Sequence, residues 1–271
     1  MIVSNINKEC LLVSGLRFPE GPVFDTAGNL WFVEIQGGNL SKWDGEKLTR
    51  YPVDGTPNGA AIDKEGIVWF CDSGRAEIRT FNPHTQEFRN ICNQTTDGQR
   101  LIKPNDLIFD SMENLIFSDH ADGREQAIST ICVLPGGEHK AKIISRYKRF
   151  TNGLALLHDE TKLIFAETYN QQLWEGDWNT KTAELSNERP FAKAGNGPWG
   201  PDGIAVDKNQ NLFVALFNEH LVQKYNSVGD VVGAICCLGS RPTSCAFDPF
   251  DRWGLVVTEA ERGEIISFLN Y

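Results

Sequence analysis

The sequence predicts an all-β fold, a six-bladed β-propeller with four-stranded blades, on three observations. One motif recurs six times, its copies are nearly evenly spaced, and helical periodicity is almost absent. The copies are "FPEGPVFDTAGNLWFVE", "TPNGAAIDKEGIVWFCD", "KPNDLIFDSMENLIFSD", "TNGLALLHDETKLIFAE", "GPDGIAVDKNQNLFVAL" and "RPTSCAFDPFDRWGLVVTE". Each reads as a turn, a short apolar strand often ending in Asp, a polar hairpin, and a second apolar strand. The motif centres are Glu20, Asn58, Asn105, Asn152, Asp202 and Thr243, in steps of 38, 47, 47, 50 and 41 residues. A mean of about 45 residues is the period of a four-stranded blade.

Two further strands follow in most repeats. In the fifth they are "LVQKYN" and "VVGAIC", joined by the turn "SVGD". No uninterrupted apolar stripe with a 3.6-residue period exceeds two helical turns. The spare segment "ECLLVSGL" precedes the first repeat, and the last repeat ends at "EIISFLNY". The spare strand is expected to complete that last blade, joining the chain ends and removing an exposed sheet edge. Residues 1–271 are expected to form a single domain, with its longer loops at "CNQTTDGQRL", "PGGEHK" and "KAGNGPWG".

A chain of 271 residues, 41% hydrophobic and 23% charged, can bury a sizeable core. Its formal charge of -10 argues against a nucleic-acid partner, which would favour a basic face. No apolar run approaches the ~18 residues of a membrane helix. The opening "MIVSNINKECLLVSGL" lacks the apolar core of a secretory signal. A cytoplasmic protein without a membrane partner is therefore expected. The seven cysteines, Cys10, Cys71, Cys92, Cys132, Cys236, Cys237 and Cys245, form no C-x-x-C pair. They read as reduced, mostly buried thiols, with Cys236 and Cys237 on opposite faces of one strand.

In a propeller the first strand of each blade lines the central channel, so the six motif centres form a ring at one mouth. Every member carries an oxygen donor and none is His or Cys. Such a ring suits Ca²⁺, Mg²⁺ or Mn²⁺, with Zn²⁺ less favoured. Taken singly, each motif is better read as a structural turn, because Asn, Asp and Gly tolerate left-handed geometry. Glu20 is a poor turn residue, however, and gathering Glu20 and Asp202 without a cation costs like-charge repulsion. The second strands end at Glu34, Asp72, Asp119–His120, Glu167 and Asn218, and these are expected to form an outer collar gripping a small polar ligand. His120 is the histidine expected to face it, while His84, His139 and His158 fall in turns. Trp31, Trp43, Trp69, Trp174 and Trp178 are expected in packing roles, and Trp199, near Asp202, as a pocket wall. No G-x-S-x-G elbow, Walker loop or dinucleotide fingerprint is present.

From "RFPEGPVF" through "KPNDLIFD", "TNGLALL" and "GPDGIAVD" to "RPTSCAF", nearly the whole chain resembles the senescence marker protein/gluconolactonase/luciferin-regenerating enzyme family, which includes regucalcin and bacterial sugar lactonases. The resemblance implies a six-bladed propeller with one divalent metal in its channel, Ca²⁺ first, with Mg²⁺, Mn²⁺, Fe²⁺ or Zn²⁺ behind it. It implies Glu20, Asn152 and Asp202 as the metal ligands and Asp202 also as general base. Asn105 matches a residue beside the metal that contacts substrate or supplies a further ligand. Lys103 stands where regucalcin-like members carry an Arg that holds substrate; it keeps the charge and loses the planar fork. "FSDHADG" resembles the "FTDPPYG" of bacterial gluconolactonases, with His120 in place of the first Pro. Asn58 matches more loosely, as a substrate-facing or supporting residue.

The implied activity is metal-dependent hydrolysis of a sugar-acid lactone or related small cyclic ester, by a monomer or weak homo-oligomer. Three other readings remain: another hydrolase or isomerase reaction on the same frame, a metal-binding regulator without catalysis, and a protein-interaction propeller. The pairing of Glu20 with Asp202 argues against the last.

Overall fold

Each repeat folds into one antiparallel sheet of four strands, and six such sheets make up the computed structural model, which describes residues 8–271. The expected absence of a secretory segment rests partly on residues 1–7, which lie outside the described residues. The innermost strands are Pro19–Phe24, Pro57–Ile62, Pro104–Phe109, Thr151–Leu157, Pro201–Val206 and Pro242–Phe247. In the last blade Cys10–Val13 pairs with Glu264–Phe268, placing Leu11 opposite Ile266, so the spare strand closes the ring as expected. Among the described residues the one helical segment is a single 3₁₀ turn, Thr168–Asn170, and no helix is long and apolar enough to cross a membrane.

The core is a torus, with one apolar cluster at each of the six blade boundaries. Alternation along the second strands produces this. In Leu30–Glu34, Trp31 and Val33 pack towards blade two, while Leu30 and Phe32 pack back towards blade six. A strand sandwiched this way must be apolar on both faces, which explains "LWFV" and "LFVAL".

The hairpins after the inner strands are held by the Asp that ends the repeat's first apolar run. Asp25 accepts from the backbone N–H of Ala27 and Asn29 and from Trp31 Nε1, and Asp63 does the same for Glu65, Ile67 and Trp69. These are Asx-type turns, and they also fix Trp31 and Trp69 beside the blade boundaries.

The motif itself needs correction. It reads as a turn before the inner strand, but Glu20, Asn58, Asn105, Asn152, Asp202 and Thr243 each lie within that strand, second from its start. The register of every inner strand shifts just there, as between Pro201 and Ile204 and between Pro104 and Leu107. A bulge re-aims a side chain that a regular pleat would send elsewhere. Pro, which lacks an N–H, fits the first position of five of the six strands.

Candidate functional site

Five of the six motif side chains, Glu20, Asn58, Asn105, Asn152 and Asp202, reach the floor of one cavity of about 460 Å³ at the channel mouth. Thr243 does not join them. Its hydroxyl bonds the Pro19 carbonyl at 2.8 Å and the Thr258 hydroxyl at 2.8 Å, so it ties the last blade to the first. Lys103, His120 and Trp199 line the same cavity.

The expected outer collar is also corrected. Glu34, Asp72, Asp119, Glu167 and, in blade six, Glu259 are buried and do not line this cavity. Each carboxylate instead accepts backbone N–H groups from the segment entering its own blade. Arg17 donates to Glu34 at 3.0 Å, Thr56 to Asp72 at 2.9 Å, Arg149 to Glu167 at 2.6 Å and Arg241 to Glu259 at 2.8 Å. Asp119 takes both Ile102 and Lys103 at 2.8 Å, and Ala121 at 3.2 Å. Blade five has Leu216 at this place, and Asn218 lies exposed with its Oδ1 on Arg241.

Parity explains what faces the cavity instead. One residue further on, Ile35, Ser73, His120, Thr168 and Phe217 all line the wall. Their N–H groups bond the carbonyls of Phe18, Thr56, Lys103, Phe150 and Gly200, two residues before each motif centre. Phe18, Thr56, Lys103 and Phe150 line the cavity as well. The latches therefore position the wall. Asp119→Ala would strand three backbone N–H groups beside Lys103 and His120. Each orphan costs on the order of 1–3 kcal/mol, so the melting temperature should fall by about 10 °C. Thermal unfolding checks it, and Asp119→Asn, which keeps one acceptor oxygen, should lose less.

His120 is held in one protonation state. Its Nδ1 accepts the N–H of Asp122 at 3.0 Å, and its ring stacks on Phe150 at 4.1 Å between centroids. Burial pushes its pKa down to about 4 against the raising charge of Asp122, with smaller lowering contributions from Lys103 and Arg124. The imidazole is thus neutral near pH 7 with its proton on Nε2. It can donate a hydrogen bond and has no lone pair free to act as a base. Lys103 Nζ is bonded to Asp122. Asp122 sits on a segment where it and Ala121 both adopt left-handed backbone, with φ of 56° and 50°.

The floor is electrostatically unbalanced. Glu20 and Asp202 are both buried, and among the described residues neither forms an ion pair. Burial, and then the charges of Asp202 and Asp106, push the Glu20 carboxyl well above the ordinary range. Burial and then Asp106 do the same to Asp202, which an Asn152 hydrogen bond partly offsets. Asp106 is a residue that the repeat reading passed over. It follows Asn105 where the other blades have Gly21, Gly59, Gly153, Gly203 and Ser244. Its carboxylate accepts from Leu107 and Leu154, clasping blade three to blade four, and burial lifts its pKa to about 6. The signal was present as "PND" in place of "PNG".

Among the described residues no three His, Cys, Asp or Glu cluster tightly enough to enclose an ion by themselves. The oxygen set at this floor is two carboxylates with three amides, and its uncompensated negative charge fits a divalent cation.

A family model described as the SMP-30/Gluconolactonase/LRE-like region matches residues 18–261. The lactonase drp35 of Staphylococcus haemolyticus is 27% identical over 232 residues, spanning 81% of this chain and 70% of its own. The diisopropyl-fluorophosphatase of Loligo vulgaris is 24% identical over 279 residues, spanning 92% and 88%. A gluconolactonase structure from Xanthomonas campestris superposes with a TM-score of 0.84 over 95% of this chain and 88% of its own, at 23% identity, a likeness of fold.

Proposed function

The chain belongs to the SMP-30/gluconolactonase/LRE-like family, and from that premise we propose that it hydrolyses a lactone or related small cyclic ester with the help of one divalent cation. The observation that carries this reading is the pair of buried carboxylates, Glu20 and Asp202, without an ion-pair partner among the described residues and facing one cavity together with three amides. Glu20, Asn152 and Asp202 would hold the ion, with Asn105 beside it and Ca²⁺ the first candidate. Bound there, such an ion supplies a Lewis acid for a carbonyl oxygen and acidifies water.

The residues of the chain account for the rest. Asp202 takes the proton of the attacking water, whose oxygen bonds to the carbonyl carbon. The ring C–O bond breaks, and the proton passes to the departing ring oxygen, leaving a hydroxy acid. His120 Nε2–H and Lys103 donate to substrate oxygens on one side of the cavity. Asn58 supports the floor between Glu20 and Asn105. Residues 1–271 are read as one such unit, and the seven free cysteines support a cytoplasmic setting.

The test is proton release from a panel of lactones by protein stripped with chelator and then reloaded with Ca²⁺. Turnover should vanish on stripping and return on loading. Turnover unaffected by chelator would remove the cation from the scheme, and cation binding without cleavage of any ester would favour a regulator. The Loligo vulgaris relative favours a second reading, hydrolysis at phosphorus, so an organophosphorus ester belongs in the same panel.

A further inference from the structure

The cavity walls are sorted by blade. Blades two and three contribute the polar side chains Thr56, Ser73, Lys103, His120 and Asp122, of which Ser73 donates to the Thr56 carbonyl and Lys103 is bonded to Asp122. Across the floor, blades four, five and one contribute Phe150, Trp199, Phe217, Phe18 and Ile35. The rings on that side touch in series through Tyr169. Phe150 to Tyr169 is 5.4 Å between centroids, Tyr169 to Trp199 is 5.3 Å, Trp199 to Phe217 is 5.6 Å, and Phe217 to Phe18 is 6.2 Å. Above the floor two polar side chains border this side, Thr168 of blade four and Arg124 of blade three. The Thr168 hydroxyl donates to the Pro201 carbonyl at 2.7 Å. The Arg124 guanidinium spreads over Phe150 and Trp199 at 5.8 and 5.9 Å.

We infer that the preferred substrate is a lactone bearing an apolar substituent, an alkyl chain or ring laid along the Phe150–Trp199–Phe217–Phe18 band, rather than a polyhydroxylated sugar lactone. The inference rests on the lactonase reading of the floor. A sugar lactone carries hydroxyls around its ring, and those turned to the band lose water without gaining a partner. Each misplaced hydroxyl should cost roughly tenfold in kcat/KM. An alkyl chain there sheds water instead, at up to about fourfold in affinity per methylene. The ester oxygens meanwhile stay within reach of His120 and Lys103.

The test compares six-membered rings only, using the cation-loaded protein and subtracting uncatalysed hydrolysis. The series is δ-valerolactone, δ-hexalactone, δ-octalactone, δ-decalactone and glucono-δ-lactone. Expected is a rise in kcat/KM of about two- to fourfold per methylene, with glucono-δ-lactone about 100-fold below δ-octalactone. In Phe217→Ala the ratio of δ-decalactone to δ-valerolactone should fall at least about fivefold, and in Phe217→Leu, which keeps apolar packing, by less. Glucono-δ-lactone as the best substrate, or a ratio near one in the wild type, would overturn this preference and leave the lactonase reading standing. Cleavage of no lactone at all would remove both.

Discussion

Asp202→Asn is expected to lose turnover by about 10³-fold or more and, in the same variant, to raise the melting temperature of the cation-free protein. The two effects share a cause. In the cation-free fold the carboxyls of Asp202, Glu20 and Asp106 are buried close enough to disfavour one another's charge, and among the described residues no ion pair offsets them. Removing one charge relieves repulsion and desolvation worth about 1–3 kcal/mol, or roughly 3–8 °C in a chain of this size. The amide keeps the shape of the carboxyl, so packing is not the variable. Saturating Ca²⁺ should then stabilise the wild type strongly and the variant weakly, because only the wild type keeps both charges. Thermal melts with chelator and with Ca²⁺ read this without reference to any substrate. A cation-free variant less stable than the wild type would show that the two carboxylates are not in conflict.

The same charges set the sign of the pH dependence. Glu20, Asp202 and Asp106 have folded pKa values above their unfolded ones, Asp106 at about 6. Their contribution is fully present below the unfolded carboxylate range and is lost as pH rises through the folded values. His120 works the other way. Its folded pKa of about 4 lies below the usual 6.5, so its contribution is lost as pH falls through that window. Three raised carboxylates outweigh one depressed imidazole. The cation-free protein should therefore melt higher at pH 5.5 than at pH 8, and Asp202→Asn should flatten the difference.

The ring, its number of blades and its closure were legible because repetition amplifies a weak local signal. A single "PDG" is an ordinary turn, whereas six copies at one spacing describe a circle. The floor was legible for the same reason, and Glu20 stood out because a turn has no need of it. What escaped depended on single-residue offsets. Glu34, Asp72, Asp119 and Glu167 look like ligand grips by residue type, yet a strand reverses facing at every step. The burial of these acids is satisfied by backbone amides, and the next residue in each blade holds the wall. Thr243 looked like a sixth donor, but sequence cannot show that its hydroxyl is already engaged with Pro19 and Thr258. Asp106 was hidden because it occupies a place where other blades have no side chain at all, except for Ser244.

That place carries the second large expected effect. Gly153→Ala should lower the melting temperature by about 10 °C or more and weaken Ca²⁺ binding with it. A Cβ on Gly153 would lie 2.2 Å from the Asp202 carbonyl oxygen and 2.8 Å from the Gly203 Cα, both backbone atoms of the neighbouring inner strand. Backbone cannot swing aside as a side-chain end can, so the strands must separate, at about 3 kcal/mol or more. The strand that has to move carries Asp202, and the strand pushing it carries Asn152, so stability and cation affinity should fall together. Gly233→Ala is the control. It lies on an outer strand where the nearest atom to an added Cβ is 3.9 Å away, and its stability should change by less than about 0.5 kcal/mol. A Gly153→Ala protein that melts like the wild type would mean that the inner strands can spread without cost. A floor on strands so loosely held could not keep Asn152 and Asp202 at fixed separation, and the case for one shared cation would fall with it.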